Sequence, residues 1–388
     1  MTTLPPYLET RVVQAEFPSR GRVLMISDIH GHDTAFRRLL RRAAFGPQDT
    51  LVVVGDLLEK GTESLAVVRT LMDLSRTHRV YTLMGNMDVF TLGKLLTDDA
   101  EKRHTLFSYA PLMKNWWGGC LLLEMCRELG IPFSADMDEA ETVRLIRARF
   151  SEELGFLSGL PTILDTPFMT FVHGGLPHLR LSELAGQDCH AVLKCDDFLS
   201  RGLSFPKYVT VGHWPAVLYR DDLMDMSPLL CRERHILCLD GGCGVKKSGQ
   251  LNCVIQPFPG SGDFSFVWED DLPRVTALQD QRPSSDHTYI KFHDRQVTVL
   301  SRDDPDFALV SWHGKKVRVP VSALDFEHPG QLNTDITDYL LPVRAGDELS
   351  LIRTVAGRHY VRRDCILGWY CGPVAPAAES SVTPEHAL

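Results

Sequence analysis

The sequence predicts an α/β fold followed by a small all-β part, and three observations predict it. Five apolar stretches of strand length each end on an acid, an amide or a histidine. The first three alternate with segments whose apolar residues recur at helical spacing, the βαβ pattern of parallel strands with covering helices. Beyond a polar linker the helical spacing stops and short β segments follow. At 388 residues, 44% hydrophobic and 23% charged, the chain suits one large or two to three modest domains with ample core.

The first apolar run, 23–26, leads into Ser27, Asp28, Ile29, His30 and Gly31. Residues two apart on a strand share a side, so Asp28 and His30 leave its end as a chelate of one oxygen and one imidazole nitrogen. The run 51–54 leads through Gly55 to Asp56, and 81–84 through Gly85 to Asn86. The run 168–172 ends on His173 before Gly174 and Gly175, and 208–211 runs through Gly212 into His213. Taken singly, each is a capped strand end or a core histidine. Taken together they gather oxygen and nitrogen donors where α/β sheets collect functional loops, beside glycines that let backbone approach a small charged object. That outlines a two-metal hydrolytic site. His32, His178 and His190 hold no such position.

Residues 33–44 carry Ala35, Phe36, Leu39, Leu40 and Ala43 at helical spacing, and Arg37, Arg38, Arg41 and Arg42 between them read as a solvated helix face. Residues 62–75 repeat the pattern with Leu65, Val68, Leu71, Met72 and Leu74. A mostly helical insertion spans about 89–159, with one amphipathic piece at 139–157 and His104 as a surface residue. Strands return from 168, and 251–255 reads as the last of the catalytic domain, set at 1–275. The linker is 276–288, the β domain 289–374, and the tail 375–388 is expected to be disordered. Within the β domain the segments are 296–301, 307–312, 316–321, 348–353, 358–362 and 368–371. Trp312 and Trp369 fit a core or a ligand platform equally.

A formal charge of −9 excludes a general nucleic-acid or anionic-membrane surface, which demands a basic face. It permits a small phosphorylated substrate whose charge bound metals offset. Ten cysteines lie scattered without a Cys-x-x-Cys pair, which suggests reduced thiols and a cytoplasmic protein. No apolar run reaches the roughly 18 residues of a membrane helix, and the amino terminus has no leader pattern.

Ser-Asp-Ile-His-Gly at 27–31, Gly-Asp-x-x-x-Lys-Gly at 55–61, Gly-Asn-Met-Asp at 85–88, His-Gly-Gly-Leu at 173–176 and Gly-His at 212–213 resemble the ordered motifs of calcineurin-like metallophosphoesterases. His173 to Pro177, and the turn Asp240-Gly241-Gly242-Cys243 with Gln250 and Leu251 after it, are similar to the phosphoprotein phosphatase branch. That branch includes symmetrical dinucleoside tetraphosphate hydrolases. The resemblance covers roughly residues 20–257. It implies a four-layer α-β-β-α sandwich and two divalent ions, bridged by Asp56. Asp28 and His30 would complete one ion's ligands, and Asn86, His173 and His213 the other's. Mixed oxygen and imidazole ligation suits manganese, iron or zinc, and hydroxide held by the ions would attack phosphorus. The insertion would roof the cleft, shaped by Phe90, Trp116, Trp117 and the Gly118-Gly119 turn unless the tryptophans are core. The string Ala345-Gly346-Asp347-Glu348-Leu349-Ser350-Leu351, with residues 368–372 after it, resembles an SH3 barrel, and the preceding half a second, degenerate one. That domain is a candidate site for a protein partner.

Two departures from the family pattern bear on substrate. The general-acid histidine is replaced by Met87, whose thioether delivers no proton. Asp88 then works through a water, another histidine such as His32 fills the space, or no general acid operates. General acid catalysis contributes about 10²–10⁴-fold, and good leaving groups need it least. The second departure is Lys60 where an arginine usually grips phosphate; lysine keeps the charge and loses the two-pronged geometry. Arg201 is a candidate second phosphate-binding cation. The expected catalytic residues are Asp56 and Asp88, with Asn86 and Lys60 on the substrate phosphate. The expected function is hydrolysis of a phosphomonoester, a phosphoprotein included, biased to aryl phosphates, phosphotyrosine or phosphoanhydrides. The alternatives are a symmetrical dinucleoside tetraphosphate hydrolase and a metal-binding scaffold that has lost catalysis.

Overall fold

Apolar, β-branched runs between Gly-containing turns fold here as buried strands. The computed structural model describes residues 5–177, 180–377 and 386–388, so His178 lies outside the described residues. The described residues form two compact units, one of 5–215, 228–270 and 386–388, the other of 216–227 and 271–377.

In the first unit the chain runs β1 (Val12–Gln14), β2 (Val23–Ile26), α1 (Asp33–Arg42), β3 (Thr50–Val54), α2 (Ser64–Thr77), β4 (Arg79–Leu83) and α3 (Asn86–Leu95). Helices α4 (Ala100–Trp117), α5 (Leu121–Glu128), α6 (Glu139–Arg149) and α7 (Ser151–Ser158) follow. Strands β5 (Ile163–Asp165), β6 (Met169–Val172), β7 (Tyr208–Val211), β8 (Leu229–Cys231), β9 (Ile236–Cys238), β10 (Leu251–Gln256) and β11 (Ser265–Glu269) complete the series. One sheet has the order β4-β3-β2-β10-β11, extended on β11 by the short strand His386–Ala387; the other has β1-β5-β6-β7-β9-β8. Strands β2, β3 and β4 are mutually parallel, as are β6, β7 and β9. Their carboxyl ends are where the candidate ligands stand. Every residue of β2, β3 and β6 is buried, so these strands read as unbroken apolar runs.

Several expectations change. The amphipathic stretch 139–157 is two helices, because buried Phe150 leaves helical geometry (φ −109°, ψ 32°) and caps both. Strand β10 is not the last of the unit. Residues 257–262 form a hairpin connection to β11, in which Gln256 Nε2 donates to the Ser261 carbonyl. The units divide at Asp270–Asp271 rather than after 275, since Arg274–Ala277 pairs with strands of the second unit. The tail is not uniformly without structure: Val374–Pro376 and His386–Ala387 are strands, and 378–385 lie outside the described residues. The arginines of α1 are not all solvated. Arg38 donates to the Asp270 carbonyl and pairs with Glu269, and Arg42 also pairs with Glu269.

The second unit, among the described residues, is built of β strands joined by turns and short 3₁₀ segments. β12 (Arg274–Ala277), β13 (Tyr289–Ile290), β14 (Thr298–Ser301), β15 (Phe307–Trp312), β16 (Lys315–Pro320), β17 (Ile336–Thr337), β18 (Glu348–Val355), β19 (Arg358–Arg363), β20 (Ile366–Tyr370) and β21 (Val374–Pro376) form three sheets. Trp369 is core, 4% exposed, its indole donating to the Thr337 carbonyl. Trp312 is half-buried and donates to the Asp294 carbonyl. No helix among the described residues is long and apolar enough to cross a membrane.

Candidate metal centre

The centre is assembled by loops that leave the strand ends in unusual backbone conformations. Asp28, His30, Asp56, Glu59, Lys60 and His213 all have φ between 47° and 68°, a region that side-chain-bearing residues occupy at a cost of about 1–3 kcal/mol each. Backbone bonds between loops hold them there: Asp28 N–H to the Gly55 carbonyl, His30 N–H to that of Asp56 and Gly31 N–H to that of Leu57. A Cβ on Gly85 would fall 2.1 Å from the Asp56 nitrogen and 2.2 Å from its Oδ1, so only glycine lets β4 turn into α3 there. Asn86 is thereby the first residue of α3.

The donor atoms of Asp28, Asp56 and His173 lie within 4.8 Å of one another. His30 Nε2 is 3.5 Å from Asp56 Oδ2 and 3.9 Å from Asp28 Oδ1; His173 Nε2 is 3.4 Å from Asp56 Oδ1 and 3.0 Å from Asn86 Oδ1. The far nitrogens are fixed by backbone: His30 Nδ1 is 3.0 Å from the Leu58 carbonyl and His173 Nδ1 is 2.9 Å from that of Val54. Each imidazole therefore presents Nε2 to the carboxylates. The His213 ring stands 5.3 Å from that of His173, its backbone N–H donating to Asp28 and its Nε2 lying 2.7 Å from Asp196. Asp28, His30, Asp56, Asn86 and His173, from both sheets, thus meet around one point, with the His213 ring beside His173 and its Nε2 turned to Asp196.

The electrostatics are those of acids crowded in a dry place. Burial pushes Asp28 up to about 6, against the nearby charge of His173. Burial also opposes ionisation of Asp56, but His173, His30 and Lys60 outweigh it and hold that carboxyl far below the usual range. His173 is driven the other way: burial disfavours its charge, yet Asp56 and Asp28 raise it to about 10. Both its ring nitrogens face acceptors, the Val54 carbonyl and Asn86 Oδ1. His30 is held down to about 3 by burial and Lys60, and His213 to about 4 by burial and His173; both are neutral donors at pH 7.

These residues fit a pair of divalent cations. Among the described residues, counter-charge at the carboxylates comes from the His173 ring and from the Lys60 ammonium, 3.2 Å from His30 Nε2, each at a nitrogen that a metal would take. The donor set of carboxylate, amide and imidazole is that of a mixed-ligand site. One further buried acid, Asp240, has an oxygen without a hydrogen-bond partner.

Asp88, expected as a catalytic residue, is held by backbone. Its oxygens accept three backbone N–H groups, from Leu57 at 2.9 Å, Leu58 at 3.1 Å and Gly85 at 2.8 Å, and it is fully buried. Burial and Asp56 push it up to about 7, against those three donors. It ties α3 to the loop after β3 and presents no free oxygen. Met87 contributes its backbone N–H to Asp56 at 2.8 Å. His32 is held by the His30 carbonyl, 2.7 Å from its Nδ1. His190 pairs with exposed Asp188, away from the six, and His104 pairs with Glu139 at the surface. Trp116 is 62% exposed and Phe90 packs against Tyr109. Arg201 is exposed and donates to the Asp196 carbonyl, two bonds from His213.

The sequence reading missed Asp196, the partner of His213, and Asp240. It also missed two buried glutamates: Glu59 accepts from the Thr91 hydroxyl, and Glu124 of α5 accepts the Ser64 and Leu65 N–H groups that open α2. A turn signal marked Asp240 and the motif at 55–61 contained Glu59; nothing local marked Asp196 or Glu124.

Residues 21–314 match the calcineurin-like phosphoesterase family, well over half of the chain. The chain belongs to that family of metal-dependent hydrolases, which use divalent metals in a dinuclear site. Parts of it align with curated symmetrical bis(5′-nucleosyl)-tetraphosphatases. Identity is 44% over 83 residues with that of Acidovorax ebreus, covering 21% of this chain and 29% of the relative. It is 43% over 117 residues with that of Acidovorax sp. strain JS42, covering 25% and 41%. The matched stretch thus spans less than half of either relative. A protein serine/threonine phosphatase structure from Saccharomyces cerevisiae is similar over 69% of this chain and 86% of that one, at 14% identity and a TM-score of 0.41.

Proposed function

We propose that this protein is a phosphoesterase that holds two divalent ions, manganese, iron or zinc, on Asp28, His30, Asp56, Asn86, His173 and His213, and hydrolyses phosphomonoesters with good leaving groups. The observation that supports this reading is the buried cluster of Asp28, Asp56 and His173 with His30 and Asn86 against it and the His213 ring beside it, next to a methionine at position 87. Bound there, two divalent ions supply Lewis-acid activation of a water and positive charge for phosphoryl oxygens. Asp56, set between His30 and His173, is the carboxylate suited to be shared. The Val54 and Leu58 carbonyls hold the imidazole tautomers that offer Nε2. Lys60 and Arg201 meet the substrate phosphate, with Asn86 positioned by the first turn of α3.

With Met87 unable to protonate the departing oxygen and Asp88 occupied by backbone, the leaving group departs without an acid from this loop. Aryl phosphates, phosphotyrosine and phosphoanhydrides are therefore preferred over phosphoserine, with phosphoproteins among the substrates. Matched phosphotyrosine and phosphoserine peptides, assayed with manganese, test this; equal rates contradict it. The second reading is symmetrical hydrolysis of dinucleoside tetraphosphates, favoured by the names of the aligned relatives and by an anhydride's easy departure. Nucleotide product from diadenosine tetraphosphate, with no turnover of phosphopeptides, selects it. Two ions bound per chain with no turnover of either substrate selects a metal-binding protein that has lost catalysis. We place the protein in the cytoplasm, read its first unit as the four-layer sandwich, and read its second unit as SH3-like, the part that recruits a protein partner.

A further inference from the structure

Beyond the six ligands, Asp240 occupies a place that the proposed chemistry has not used. Strands β7 and β9 are parallel with Val211 opposite Cys238, and Leu239 N–H donates to the Val211 carbonyl. Two residues further along each strand end, Asp240 therefore lies alongside His213. Strand β6 pairs with β7 in the same sense and delivers His173 opposite Gly212, whose N–H donates to the His173 carbonyl, so the ends of three adjacent strands bring His173, His213 and Asp240 to one edge of the sheet.

The turn after Asp240 is packed onto the other sheet's contribution. A Cβ on Gly244 would lie 2.7 Å from His30 Cβ and 3.2 Å from the Lys60 carbonyl. Asp240 is 1% exposed. Its Oδ1 accepts the Gly242 N–H at 2.6 Å, which fixes the carboxylate, while its Oδ2 is buried with no hydrogen-bond partner. Asp28, Lys60 and His173 are among the charged groups close enough to act on it. A buried carboxylate oxygen left unpartnered beside another carboxylate is costly, unless a cation answers it.

We infer that Asp240 is a seventh group of the metal centre and its third acid, its free oxygen holding the ion of the Asp28–His30 half, directly or through one water. This rests on the dinuclear reading above. Loss of such a group costs about 10–100-fold in metal affinity.

The test uses the full-length, metal-stripped chain and manganese alone. Titration calorimetry gives the stoichiometry and both affinities for wild type and for Asp240→Asn, which keeps an acceptor for Gly242 N–H. Asp240→Ser is a second variant that keeps the turn without the charge. The expected result is two ions on wild type, and in both variants one ion weakened about 10–100-fold with the other unchanged. Melting then separates this role from a structural one. If the group serves the ion, both variants lower the melting temperature of the manganese-loaded protein and leave that of the metal-free protein unchanged or higher. Wild-type affinity for both ions in the variants overturns the inference, and so does a melting temperature lowered equally with and without manganese. If wild type itself fails to bind two ions, the dinuclear reading falls and this inference falls with it.

Discussion

Two neighbouring regions of the first unit bury acids equally well and use them in opposite ways. At the junction of α2, α3 and α5, Asp88 and Glu124 are 0% and 6% exposed, and backbone N–H groups fill their oxygens. At the metal centre, Asp28, Asp56 and Asp240 are just as buried, at 2%, 2% and 1% exposed. There the acids face one another, two imidazoles and one ammonium, and one oxygen of Asp240 has no partner. Filled by backbone donors, a buried carboxylate ties loops and helix ends together. Set against other carboxylates in backbone held at positive φ, it stores a demand for positive charge. Burial alone does not separate the two; the identity of the donors does.

Substitutions on each side sharpen or break that contrast. The largest effect is expected from Asp56→Asn: hydrolysis of p-nitrophenyl phosphate with manganese falls to background and two-ion binding is lost. Retained turnover would remove Asp56 from the shared position. Next is Asp88→Ala, which strands three backbone N–H groups and costs about 3 kcal/mol of stability. Its melting temperature drops whether or not manganese is present. An effect confined to turnover would return Asp88 to the chemistry.

Met87→His comes third, with alkyl phosphate hydrolysis rising by up to about 10²-fold and aryl phosphate hydrolysis nearly unchanged. No gain on the alkyl ester would mean that the missing acid is not what limits it. The smallest effect concerns Glu59, whose carboxyl is pushed by burial from 4.5 up to about 7 in the fold. A raised folded value means that the folded state holds the proton more tightly, so its stabilisation is full below pH 4.5 and is lost as pH rises through about 7. Melting of the metal-free protein should fall across that window less steeply in Glu59→Gln than in wild type. Equal slopes would show that Glu59 stays ionised throughout.

The candidate ligands were legible in sequence because they follow apolar strands closely and stand near glycine: Asp28 and His30 after β2, Asp56 after β3, Asn86 after β4, His173 after β6 and His213 after β7. The fold compresses that information into adjacent positions. The filling of Asp88 and Glu124 was not legible, because Glu124 caps a helix 60 residues earlier in the chain and no local pattern records such a pairing. Asp240 announced a turn, but its approach to His30 depends on how Gly244 packs. Residues 257–262 misled because proline and glycine serve a hairpin as readily as a linker. Phe150 broke a helix that spacing alone predicted as continuous. In the second unit the short β segments were legible from the loss of helical spacing: 307–312 is the strand Phe307–Trp312, and 348–353 falls within Glu348–Val355.

The central claim is that the buried acids and imidazoles of the first unit are a dinuclear centre. Crystals of wild type grown with manganese, measured for anomalous scattering, test it most directly. The expected result is two anomalous peaks per chain that share Asp56, one beside Asp28 and His30 and the other beside Asn86, His173 and His213. A single peak, or peaks away from Asp56 with Lys60 still against His30, contradicts it.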